Sequence, residues 1–262
     1  PTASRHMLVS TPDRHLVFFG TETTIGTPTT QDDMFVRFSD QESINATDSY
    51  TPSATNTAGF QRLPDGSKLM AVIAGKTALY VWSDTAMYTM KFVGQPFTFG
   101  FEQVGTNCGI SSQHAPVEID GVAYWIGNNG IFAFDGTVNN LPCSVEDYVY
   151  DDFDTTKGQQ VAAGINNLFT EVIWWYPTAS ATFNDRYVVY NYGQDNAVLP
   201  MGNWYTGTNT NSIRTTWIDS LVYPKPYATA YNSTATGTFP VIQGETGSVS
   251  YTHLTLPTSD LV

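Results

Sequence analysis

Five aromatic strand centres recur at nearly even intervals: Phe38, Trp82, Trp125, the Trp174-Trp175 pair and Trp217. The steps are 44, 43, about 49 and about 43 residues. The first two centres share more than an aromatic side chain. Val36-Arg37-Phe38-Ser39-Asp40 and Tyr80-Val81-Trp82-Ser83-Asp84 both read as strand, aromatic, Ser, Asp. A period near 45 residues in strand-rich sequence points to β-propeller blades. Each blade is a small four-stranded sheet that buries its faces only by stacking on its neighbours. The five aromatics are therefore expected in the cores of successive blades.

Turn chemistry supports this reading most clearly between residues 116 and 136. Val117-Glu118-Ile119 is followed by Asp120-Gly121, and Val122-Ala123-Tyr124-Trp125-Ile126 by Asn129-Gly130. Ile131-Phe132-Ala133-Phe134 is followed by Asp135-Gly136. Asp-Gly and Asn-Gly tolerate the positive φ of tight hairpins, so the stretch predicts an antiparallel meander. Further strands are expected over 16–20, 34–38, 68–74, 77–83, 86–93, 161–165, 170–176, 186–192, 204–206, 214–218, 227–231 and 239–243. Residues 40–59 read as a long polar loop, and residues 194–202 as an inserted one. One helix is expected over 144–153, with Ser144 as its cap, Asp147 as the capping-box partner, and Val145, Tyr148, Val149 and Phe153 as its apolar stripe. The expected fold is thus all-β: a β-propeller-like array of antiparallel four-stranded blades, about five units, incomplete at the N-terminus.

The domain is expected to span 1–248. Residues 249–262 resemble a translated sequencing adapter and are expected to be a non-native tail. The chain starts at Pro1 rather than Met and is read as a fragment. A 262-residue chain with 41% hydrophobic and 14% aromatic residues has the make-up of a sheet builder. Charged residues are only 13%, yet the net charge is −13, with eleven scattered Lys and Arg. That balance argues against tight binding of DNA or of an anionic membrane, which needs clustered basic residues. It is compatible with an acidic wall that DNA slides past. No apolar run approaches the roughly 18–20 residues of a membrane span. Cys108 and Cys143 are the only cysteines; free thiols and one disulfide both fit their spacing.

Candidate chemistry is sparse. Asp147, Asp151, Asp152 and Asp154 form the densest acidic cluster. A glycosidase needs two carboxylates held about 5–10 Å apart in a cleft. Asp147 and Asp151 would share one helix face, although a solvated helix face is the simpler reading. The run from Asp152 departs from a calcium loop, because Lys157 takes the sixth position and Ala163 the twelfth. No His pair or CxxC has metal-ligand spacing, and no GxSxG or phosphate-cradling motif is present. No catalytic residue, metal or cofactor is expected. Tyr50, Trp204 and Tyr205 border loops and are the aromatics best placed to be exposed sugar platforms.

Several stretches, taken in order, resemble one family. They include Arg14-His15-Leu16-Val17-Phe18-Phe19-Gly20, Val36-Arg37-Phe38-Ser39-Asp40-Gln41-Glu42 and Thr51-Pro52-Ser53-Ala54-Thr55-Asn56-Thr57-Ala58-Gly59. Tyr80-Val81-Trp82-Ser83-Asp84, Phe92-Val93-Gly94-Gln95-Pro96-Phe97, and Phe134-Asp135-Gly136 with Leu141-Pro142-Cys143 follow. Asp185-Arg186-Tyr187-Val188-Val189-Tyr190-Asn191-Tyr192, Trp204-Tyr205 and Gly244-Glu245-Thr246-Gly247 complete the series. The order, over residues 5–248, resembles tailed-bacteriophage structural proteins of the tail hub, nozzle or packaged-DNA-stabilisation type. The resemblance implies a non-catalytic propeller-like subunit of a homo-oligomeric ring below the portal, located in the virion. It also implies contacts with adaptor and other tail proteins, and transient passage of DNA. The connection between Asn191 and Trp204 is longer than the family pattern. A carbohydrate-binding or glycoside-hydrolysing propeller is the alternative, and a cellular scaffold propeller a third reading.

Overall fold

The structure is a computed structural model and describes residues 1–11, 13–45, 47–194, 203–208, 213–220, 222–231 and 241–244. Five antiparallel sheets follow one another along the chain, each an up-and-down meander of consecutive strands. The first sheet holds β1 (His6–Ser10), β2 (His15–Phe19), β3 (Phe35–Phe38) and β4 (Gly59–Arg62). The second holds β5 (Leu69–Ala74), β6 (Leu79–Ser83), β7 (Ala86–Gly94) and β8 (Thr98–Thr106). The third holds β9 (Val117–Ile119), β10 (Val122–Ile126), β11 (Ile131–Phe134) and β12 (Val138–Asn140). A helix, α1 (Glu146–Asp152), precedes the fourth sheet, β13 (Ala162–Asn166), β14 (Glu171–Tyr176), β15 (Arg186–Asn191) and β16 (Asn203–Thr208). The last has three described strands, β17 (Ile213–Ile218), β18 (Tyr227–Tyr231) and β19 (Val241–Gln243). Residues 195–202 and 249–262 lie outside the described residues.

The first strands of successive sheets come together. β1 lies against β5, β9 against β13, and β13 against β17. A parallel bridge joins His114 to Ala162, and the Ala163 amide donates to the His114 carbonyl at 2.8 Å. This succession of antiparallel sheets is consistent with the expected all-β, blade-like fold.

Period-2 alternation lets one strand serve two sheet interfaces. On β6, Leu79 and Val81 join the core shared with the first sheet, which contains Phe38, whereas Tyr80 and Trp82 join the core shared with the third. On β14, Trp174 points into the latter core, while Trp175 packs with Trp217 of the fifth sheet. Aromatic pairs bridge each successive interface. Phe38 meets Phe99 at 4.8 Å between ring centroids, Trp82 meets Trp125 at 5.3 Å, Tyr124 meets Tyr190 at 5.8 Å, and Trp175 meets Trp217 at 5.5 Å.

Indoles also donate hydrogen bonds away from their own strands. Trp125 Nε1 reaches the Cys108 carbonyl at 3.0 Å, Trp174 Nε1 the Ala115 carbonyl at 2.9 Å, and Trp217 Nε1 the Ile165 carbonyl at 2.8 Å. The Trp82 indole nitrogen is buried without a partner among the described residues. Gly164 sits under the Trp217 ring, where a Cβ would lie 2.5 Å from Cδ1.

The five aromatic centres do not occupy one equivalent position. Trp82, Trp125 and Trp174 lie on the second strand of their sheets, Phe38 on a third strand, and Trp217 on the first described strand of the last sheet. Loop length is the reason: residues 40–59 lengthen the first unit between β3 and β4, and the α1 segment delays the fourth. Phe38, Trp82, Trp125 and Trp174 are buried, and Trp217 is partly buried.

The meander over residues 116–136 is present, with Val122 opposite Ile119 and Ile126 opposite Ile131. Only Asp120-Gly121 places both turn residues at positive φ, 52° and 95°. At Asn129-Gly130 and Asp135-Gly136 only the glycine does so. Strands β1, β4 and β8 were not expected. Each presents exposed or half-buried positions, so none carries a continuous apolar run. Helix α1 begins at Glu146 rather than Ser144. Val145 stands at its N-cap and no side chain caps it; Glu146 and Asp147 instead place negative charge in the first turn. Cys108 and Cys143 are free, buried thiols.

Trp174→Phe and Trp82→Phe remove similar volume from fully buried sites. Trp174→Phe also leaves the Ala115 carbonyl unpaired, so it should cost about 1–2 kcal/mol more than Trp82→Phe. Urea denaturation of the two variants measures the difference; equal losses would show that the indole bond contributes nothing.

Candidate functional site

The acidic cluster divides between solvent-exposed carboxylates and ion-paired ones. Asp147 and Asp151 are exposed on α1. Asp152 accepts a hydrogen bond from Arg186 Nε at 2.8 Å. Asp154 caps the 3-10 turn Thr155–Gln160, accepting from the Thr156 amide at 3.0 Å and the Thr156 hydroxyl at 2.6 Å. It also pairs with Lys157 Nζ at 3.0 Å. The Thr156 hydroxyl, followed by Lys157, holds the Asp154 carboxyl below the usual carboxylate range. Val149, buried, and Tyr150, whose hydroxyl donates to the Gly127 carbonyl at 2.9 Å, dock α1 onto the third sheet. The charged face is what remains in solvent.

Two of the three candidate sugar platforms are packing residues. Tyr50 is buried with its ring edge on Phe18, and its hydroxyl donates to the Ile44 carbonyl. Trp204 packs on Tyr190 at 4.7 Å and donates to the Pro142 carbonyl at 2.9 Å. Tyr205 is the exposed one, with its hydroxyl on Glu171 Oε1 at 2.8 Å. Bordering a loop does not expose a ring when the loop folds back over it.

Two features have more functional content, and sequence reasoning missed both. The first is a cavity of about 350 Å³, lined by Arg5, His6, Lys68, Leu69, Met70, Ser112, Gln113 and Gln159. These residues come from the leading ends of β1 and β5 and from the approaches to β9 and β13. No carboxylate lines it. Burial lowers the proton affinity of His6, and the nearby Arg5 guanidinium acts in the same direction.

The second feature is the β7–β8 hairpin. Its tip exposes Phe92, Val93 (57%) and Phe97 (76%), and Phe60 of β4 is also exposed (53%). Between them lies a groove of about 380 Å³, whose walls include Pro52, Ala58, Phe60, Pro96 and Phe97. The long loop over residues 40–59 is held in place partly by buried Arg37. Its guanidinium donates to the Tyr50 carbonyl at 3.1 Å and the Thr23 carbonyl at 2.8 Å, against the rings of Phe35 and Phe60.

His15 packs under the tip end of the hairpin. Its ring is fully buried and meets Phe92 at 5.7 Å and Phe99 at 5.1 Å. His15 Nε2 contacts the Thr57 hydroxyl at 2.9 Å, and that hydroxyl donates to Asp40 at 2.8 Å. His15 Nδ1 is buried without a partner among the described residues. Burial lowers the His15 pKa, while the amide and hydroxyl of Thr57 lower that of Asp40. The Asp-Thr-His order is a structural relay, with the hydroxyl already engaged on both sides.

Among the described residues no group of three or more His, Cys, Asp or Glu is placed to hold a metal ion. Nor is any described helix long and apolar enough to cross a membrane. No protein-family model matches the chain, and no curated protein matches it.

His15 and His6 should make the fold acid-sensitive. In the unfolded chain a histidine takes up its proton near pH 6.5, whereas both stay neutral to lower pH in the fold. The unfolded state then binds more protons, so stability falls as pH drops through about 6.5. Urea midpoints at pH 7.5 and pH 5.5 should show this loss, and His15→Gln should reduce it. An unchanged pH difference in the variant would remove His15 from the account.

Proposed function

We propose that this chain is a non-catalytic structural subunit of a tailed-phage virion. In this reading it forms part of a homo-oligomeric tail hub or nozzle ring that retains and then conducts the genome. The observation that carries the proposal is the exposed apolar hairpin tip, Phe92, Val93 and Phe97, beside Phe60. Several large apolar side chains left exposed around one hairpin tip suit a surface covered by a partner. The ordered resemblance over residues 5–248 supplies the class of assembly. The net charge of −13 suits a wall past which DNA moves without sticking. Neighbouring subunits, adaptor and other tail proteins are the proposed partners, and the virion is the proposed location.

A carbohydrate-active propeller is the second reading, and the acidic cluster lends it little support. Asp152 and Asp154 are engaged by Arg186 and Lys157, and none of the four clustered carboxylates lines the cavity beside Arg5 and Lys68.

Proteomics of purified tailed particles encoded by a genome carrying this gene should recover the protein. Its absence from the particles would sink the assignment. In solution, light scattering should give a mass above that of the 28.8 kDa monomer, and Phe97→Asp should return it to monomer mass. A wild-type chain that stays monomeric, or a variant mass that does not change, would remove the hairpin tip as the interface.

A further inference from the structure

We propose that the cavity lined by Arg5, His6 and Lys68 binds a small molecule through an oxyanion group, a phosphate or a carboxylate. The cavity stands independently of the assembly role, because residues of one chain form it.

The first argument is charge. Arg5 and Lys68 line the cavity in a chain whose net charge is −13, with His6 between them as a neutral ring. Only Arg5 has a described counter-charge: its guanidinium is fixed by Asp33. Lys68 makes no ion pair among the described residues. Its backbone amide donates to Asp84 Oδ1 at 3.4 Å, which anchors the main chain beside the cavity. A lysine without an ion pair, beside an arginine held by one carboxylate, favours a ligand that brings an anion.

The second argument is directional hydrogen bonding. Gln159 adds a neutral amide to the same wall, while the Gln113 amide nitrogen is already held by His114 Nε2 at 2.8 Å. His6 is held by a 3.3 Å contact between Nε2 and the Leu69 carbonyl, so its ring is oriented before any ligand arrives. Ser112 is already engaged, donating to the Val161 carbonyl at 2.6 Å and accepting from the His114 amide at 3.0 Å, and so shapes the floor instead.

The third argument is size and position. About 350 Å³ falls in the range of small-molecule sites and exceeds one bare oxyanion. The ligand therefore carries further atoms, which Leu69 and Met70 can contact. Four sheets contribute to the wall, so an occupant would tie together the sheets that meet there. The cavity is too small to admit a duplex.

Calorimetric titration of the whole chain at low ionic strength, with inorganic phosphate and with citrate, tests the site. At least one probe should bind saturably. The His6 ring resonance should move with occupancy, which is readable because the chain has 4 histidines. Lys68→Gln should weaken binding about tenfold or more, the expected result of losing one charge-assisted hydrogen bond, while leaving the melting temperature of the unliganded protein in place. Arg5→Gln should weaken it too. The proposal is overturned if neither probe saturates, if chloride at equal ionic strength moves His6 equally, or if Lys68→Gln binds like wild type. Displacement of the probe by a single-stranded oligonucleotide bound at the same residues would also overturn it, since the ligand would then be a nucleic acid.

Discussion

Everything in this fold depends on the aromatic contacts between neighbouring sheets. A sheet of three or four short strands cannot keep either face dry alone, and a lone hairpin is marginal in water. Phe38 on Phe99, Trp82 on Trp125, Tyr124 on Tyr190 and Trp175 on Trp217 close the four interfaces in turn. Each such pair adds about 0.5–1.5 kcal/mol beyond the area it buries. Strands β6 and β14 are buried along their whole length because they lie between two interfaces. That double burial explains why they read as unbroken apolar runs, while the outer strands do not.

The indole hydrogen bonds add direction to this packing. A stacked aromatic interface can slide; an N–H aimed at one carbonyl cannot slide far. Trp174 on Ala115 and Trp217 on Ile165 each tie a sheet to the first strand or approach segment of the preceding one. The parallel bridge of His114 to Ala162 adds to this tie. Ordering the first strands in this way creates the cavity and brings Arg5, Lys68 and Gln159 together from distant parts of the chain. The hairpin tip depends on it less directly. β7 and β8 run long enough to project beyond the packed layer, so Phe92 and Phe97 reach solvent.

Much of the architecture was legible in residue order, because strands buried on both faces and Asp-Gly turns leave local signals. The meander around Trp125 and the hairpin of β5 and β6 are examples. Strands β1, β4 and β8 were not legible, because pairing with a neighbour holds them rather than their own apolar content. The exposure of Tyr50 and Trp204 was misread for a related reason: a loop border says nothing about what folds over it. The acidic cluster was found as a sequence cluster, but its ion pairs with Arg186 and Lys157 depend on partners outside it or on turn geometry.

The sequence by itself determined a strand-rich, repeating chain with aromatic cores and a net negative charge, since alternation, turn residues and composition act locally. Only the tertiary structure decided which strand of each sheet carries its aromatic, because loop length can change without changing the spacing of the centres. It alone decided that Arg5, His6 and Lys68 share one cavity. Contacts between residues more than sixty positions apart are set by how sheets stack on one another, and no local pattern encodes that.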